Sequence, residues 1–128
     1  MNNLAKFFFG SSILLLVIFY FTDCTNKQIV NPNQPAVSFK DEVQPILIGN
    51  CTTSGCHGAS TGNGESFPLM TYNDVINYGG ISAGKPEKSG LYKSIIGKAE
   101  SPMPPNGPMP DAQISIIYNW IAQGAKNN

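Results

Sequence analysis

The sequence contains no arginine, and its eight basic residues are all lysine. Eight acidic residues balance them, so the formal charge is zero. Nucleic-acid binding needs a basic surface, and this composition argues against it. A single histidine, His57, excludes any site that takes two imidazoles from one chain. Only 12% of the residues are charged, while 13 Gly and 10 Pro imply a loop-rich chain. No segment shows convincing two-residue alternation, so strands are not expected. Three cysteines make an odd number, and at least one must do something other than pair within the chain. At 128 residues, one domain is the natural count.

Residues 1–23 read as a signal peptide of the lipoprotein type. Lys6 and the amino terminus supply positive charge, and Phe7 to Phe21 form an apolar run broken only by Gly10, Ser11 and Ser12. That run is shorter than the roughly 20 apolar residues a spanning helix needs. Cys24 follows at once, in Thr22-Asp23-Cys24, the position of a cysteine that is lipidated after cleavage. Asp23 and Phe21 depart from the usual small residue and Leu. The expectation is an exported protein held at a membrane by a lipid on Cys24, on the periplasmic or outer-membrane side. Five of the seven Phe lie in this segment, so the 41% hydrophobic content overstates the core. Residues 24–37, polar with Pro32 and Pro35, read as a flexible tether that extends to about 40 Å.

Residues 38–128 carry the domain, expected to be all-α. Ser38 caps a first helix with Asp41 and Glu42 in its first turn. Phe39, Val43, Ile46 and Leu47 form its apolar face, Pro45 kinks it, and Gly49-Asn50 ends it. Thr71 caps a short helix over Tyr72 to Tyr78, and Ser89 caps another. Asp111 caps the last, Ala112 to Gln123, with Ile114, Ile117, Tyr118 and Ile121 on its apolar face. Between these helices lie two long loops, 57–70 and 97–110. The second, ESPMPPNGPMP over Glu100 to Pro110, holds five of the ten prolines. Loops of that length inside a small domain are commonly functional.

Cys51-Thr52-Thr53-Ser54-Gly55-Cys56-His57 carries the chemistry. Two thiols followed directly by an imidazole follow the logic of c-type haem attachment. The thiols form thioethers with the porphyrin vinyl groups, and the adjacent His is held against the iron. The gap between the cysteines is four residues instead of two, so the extra residues must bulge, and Gly55 supplies the freedom for that. A second axial ligand must be soft, because no second His exists. Met70, Met103 and Met109 are the candidates. Met103 is favoured, because Pro102, Pro104 and Pro105 stiffen its loop. Met109 and Met70 read more simply as packing. A Cys51–Cys56 disulfide in a haem-free binding module is the competing reading, since export permits disulfides. A zinc site would need a fourth ligand beyond Cys51, Cys56 and His57. No nucleophile–base pair is present, so no enzymatic turnover is expected.

In order along the chain stand a Phe/Val/Ile/Leu helix ending at Cys51…Cys56-His57-Gly58, a Met-Pro-Pro loop, and a final helix with Trp120-Ile121 and Gly124-Ala125. Together they resemble a small monohaem class I cytochrome c over residues 38–126. The resemblance implies a fold whose N- and C-terminal helices cross, with one covalent haem c as much of its core. It implies His57 and Met103 as axial ligands, Cys51 and Cys56 as thioether anchors, and electron transfer with redox partner proteins. Pro68 then matches the residue whose carbonyl accepts the His57 Nδ1–H bond. A haem sensor or gas binder remains the alternative if Met103 is not held on the iron.

Overall fold

Ser38 starts the packed helical part of the chain. In the computed structural model, which describes residues 34–53, 56–59 and 67–128, its backbone is extended and its Oγ accepts from Asp41 N at 3.1 Å. Glu42 closes the reciprocal side by accepting from Ser38 N at 2.8 Å. The segment 1–23, Cys24 and the tether up to residue 33 lie outside the described residues. The last residues before Ser38 already pack: Val37 is buried and donates to Gln123 Oε1, while Gln123 Nε2 donates to Pro35 O.

The Pro45 kink takes a specific form. Phe39–Val43 winds as a π-helical turn, in which Val43 N bonds Ser38 O and Gln44 N bonds Phe39 O. The α-helix proper, α1, runs Gln44–Cys51 with Pro45 in its first turn. Pro45 has no N–H to donate four residues back, and the wider turn absorbs the missing bond. The helix also continues past Gly49-Asn50 to Cys51, contrary to the sequence expectation. Two side chains on this last stretch bond carbonyls four residues back, Asn50 Nδ2 to Ile46 O at 2.7 Å and Thr52 Oγ1 to Ile48 O at 2.9 Å. These bonds support the helix end that Gly49 alone would weaken.

Helix α2, Tyr72–Tyr78, carries a full capping box between Thr71 and Asp74. Those hydrogen bonds, the Thr71 side chain foremost, hold the Asp74 carboxyl below its ordinary range. Helix α3, Gly90–Ile95, starts after Ser89, but Ser89 does not cap it with its side chain. Its hydroxyl is fully buried, accepts from Ser82 N at 2.9 Å and donates to Lys85 O at 3.2 Å, so it ties the preceding loop together instead. Helix α4, Asp111–Ala122, begins one residue earlier than expected. Pro110 occupies the cap position, and its carbonyl accepts from Gln113 and Ile114 N. Ile117, Trp120 and Ile121 of α4 are buried, and Ile114 and Ile116 pack partly against them.

The described residues are thus all-α, with no strand among them. No helix among them is long and apolar enough to cross a membrane. The centre of the fold is aromatic. Phe39 meets Tyr72 edge-on at 5.2 Å and Trp120 at 5.3 Å, and Tyr72 meets Trp120 at 6.4 Å. The polar ends of the rings are satisfied by the C-terminal tail: Trp120 Nε1 donates to Lys126 O and Tyr72 OH to Ala125 O. Asn128 then closes back on the first turn, accepting from Lys40 N and Phe39 N. The π-turn packs on α4, and α3 packs on α4 beside it.

Trp120→Ala removes the centre of this cluster and is expected to cost about 3–5 kcal/mol. Ile76→Ala, at a half-exposed position of α2, should stay within about 0.5 kcal/mol of wild type. Urea unfolding of the two variants measures both, and similar losses would disprove this account of the core.

Candidate functional site

The Cys51–His57 stretch is a loop closed by backbone bonds. His57 N donates to Cys51 O at 2.9 Å, and Cys56 N to Thr53 O at 2.9 Å. The first bond draws His57 back beside the end of α1 despite the longer gap between the cysteines. Gly58 follows where the chain passes close to Thr52: a Cβ there would lie 3.0 Å from the Thr52 carbonyl oxygen. Leu69 N donates to His57 O at 2.9 Å, which lays the segment 67–69 alongside the histidine.

His57 Nδ1 lies 2.7 Å from Phe67 O. A carbonyl oxygen only accepts, so Nδ1 carries the proton and Nε2 keeps the free lone pair. The sequence expectation placed this bond on Pro68, and the structure places it one residue earlier. The pairing of Leu69 N with His57 O sets that register. A residue before proline is also biased towards extended backbone. The aromatic-proline step at Phe67-Pro68 was the available signal.

Two cavities meet at His57. The smaller, about 150 Å³, is lined by Asn50, Cys51, Cys56, His57, Met103, Pro104 and Pro105. The larger, about 480 Å³, runs from Cys51, His57 and Met103 past Phe67, Leu69 and Tyr78 to Leu91 and Ile95. Among the described residues no charged side chain lines either one. Cys51, His57 and Met103 belong to both, so the structure brings together Cys51, Cys56, His57 and Met103. A third cavity, about 750 Å³, lies across the proline-rich loop and holds neither cysteine nor His57. Its size gives it no claim to the chemistry of the other two.

Met103 is set by its loop. Its N–H donates to Ser94 O at 3.0 Å, which pins the Met-Pro-Pro stretch to α3. Met109 is buried in the core and lines only the third cavity. Met70 is half-buried, its carbonyl accepts from Gln44 Nε2, and it lines none of the three.

Both site cysteines are free thiols. Burial, with Cys56 as a second cause, pushes the Cys51 thiol up to about 11, so it is neutral at pH 7. Thr53 Oγ1 approaches Cys56 Sγ at 3.6 Å. Among the described residues no group of three or more His, Cys, Asp and Glu is placed to share a metal ion. The donors gathered here are two thiols, one oriented imidazole and one thioether, on an apolar wall. Asn50 was not singled out from the sequence. It borders the smaller cavity and donates to Gln113 Oε1 at 3.1 Å, linking the end of α1 to α4.

Compared with protein-family models, with curated proteins and with solved structures, the chain matches none.

The two glycines flanking the cysteines should respond in opposite senses. A Cβ at Gly49 would meet nothing within 4 Å, so Gly49→Ala is expected to stabilise by about 0.5–1 kcal/mol. At Gly58 the contact is a backbone carbonyl that cannot rotate away, and Gly58→Ala should destabilise by about 1–3 kcal/mol. Thermal unfolding of the pair tests the loop closure.

Proposed function

We propose that this protein is an exported monohaem cytochrome c of the class I type, a carrier of single electrons anchored to a membrane through a lipid on Cys24. One observation supports this most: His57 and Met103, about 46 positions apart in the sequence, border the same two apolar cavities with Cys51 and Cys56 at one end. The donor set suits the group. Cys51 and Cys56 would hold a haem covalently, and His57 Nε2 and Met103 Sδ would supply ligands to its iron. Bound there, the haem supplies one-electron Fe(III)/Fe(II) exchange.

The chain's own residues do the rest. The Phe67 carbonyl keeps the proton on Nδ1 and makes the imidazole a better donor. The Ser94 carbonyl holds the Met103 backbone, so the thioether needs little ordering to reach its position. Leu69, Leu91 and Ile95 give the cavity an apolar lining. The packing of the first helical turn on α4 agrees with the crossing of terminal helices that the resemblance implies. If His57 and Met103 both serve as iron ligands, no coordination site would be left for a substrate, and the proposed role is that of a carrier. Its partners are redox proteins met through small, transient interfaces. Zero net charge gives weak steering, and association should depend only mildly on salt.

Expression in a host that attaches c-type haem tests the proposal. A covalent haem-sized mass increment and a Soret band are expected, and their absence would overturn it in favour of a haem-free module. Met103→Ala should open the sixth position, seen as a changed reduced spectrum and new CO binding. Met109→Ala should leave the spectrum unchanged and cost about 2–5 kcal/mol of stability as a core truncation.

A further inference from the structure

Phe67 touches His57 twice. Its carbonyl oxygen lies 2.7 Å from Nδ1, and its ring lies 4.8 Å from the imidazole at an interplanar angle of 40°. The same ring also meets Tyr78, the last residue of α2, stacked at 5.6 Å and 22°. Phe67 is 38% exposed and Tyr78 51% exposed, and neither belongs to the buried core. Core packing therefore does not explain them. Their arrangement connects the histidine to a helix whose opposite end is fixed by the Thr71–Asp74 capping box.

We infer that Phe67 and Tyr78 form an aromatic clamp that sets the orientation and tautomer of His57, with Tyr78 as its positioning residue. The Leu69–His57 backbone bond sets the register of segment 67–69, and the contacts of the Phe67 ring with both His57 and Tyr78 further restrict how the residue that bears the accepting carbonyl can turn. Tyr78 thus acts on His57 through Phe67 and makes no ring contact with the imidazole of its own. In its effect on iron the inference rests on the cytochrome reading: a well-held Nδ1–H bond makes the imidazole more basic, which favours the more highly charged ferric state and lowers the midpoint potential. In its effect on the histidine it stands on geometry alone.

The test uses the mature, folded protein, and the single histidine makes its imidazole ¹⁵N signals unambiguous. In the reduced, diamagnetic holoprotein, Tyr78→Ala should speed exchange of the Nδ1 proton about tenfold, the equivalent of one lost hydrogen bond. The midpoint potential should rise in the same variant. Tyr78→Phe keeps the ring and should restore both readouts, which a merely structural lesion would not do. Phe67→Leu, which keeps apolar bulk, should reproduce the effect of Tyr78→Ala and serves if that variant fails to fold. Wild-type exchange and potential in the variants lacking a ring would overturn the clamp. So would Tyr78→Phe behaving like Tyr78→Ala, because the hydroxyl and not the stack would then be responsible. If the wild-type protein carries no haem, the cytochrome reading fails separately. The same ¹⁵N exchange measured on the haem-free protein then decides the clamp by the same criteria.

Discussion

Phe39, Tyr72 and Trp120 meet in one cluster, and most of the structure depends on that meeting. The three rings come from the first helical turn, from α2 and from α4, so their contact joins the beginning, middle and end of the domain. Each polar ring group is satisfied by the C-terminal tail, which draws residues 125–128 back over the N-terminal turn. Burying that much aromatic surface offsets the entropy of ordering a chain whose helices are short. The longest among the described residues, α4, has 12 residues, and isolated helices of that length are marginal in water.

The aromatic cluster packs between the first turn and α4. The cavities that border Cys51, His57 and Met103 are lined instead by the end of α1, by α3 and by the proline-rich loop. Under the proposed function, an apolar group held by Cys51 and Cys56 would pack against that lining.

Much of the local structure could be read from residue type. Ser38, Thr71 and the face of α4 behave as their chemistry dictates, because caps and helical periodicity are short-range effects. The errors arose where a particular hydrogen bond overrode the preference of the residue type. Ser89 looks like a cap, yet its hydroxyl turns to Ser82 and Lys85 because the loop before it folds over the helix start. Gly49-Asn50 looks like a helix stop, yet side-chain bonds from Asn50 and Thr52 carry α1 on to Cys51. The acceptor for His57 fell on Phe67 and not Pro68, because a single backbone bond from Leu69 to His57 set the register.

The candidate donors were all visible as residue types: two cysteines, one histidine and three methionines in the domain. Their number and order follow from the chain and hold whatever its fold. Which methionine faces the histidine does not, since Met70, Met103 and Met109 are equal as thioethers. Packing chose among them: Met109 fell into the core, Met70 lay outside the cavities, and the bond to Ser94 holds the loop that carries Met103 to the cavities it shares with His57. Composition states which ligands exist, and only long-range contacts decide which of them share a space.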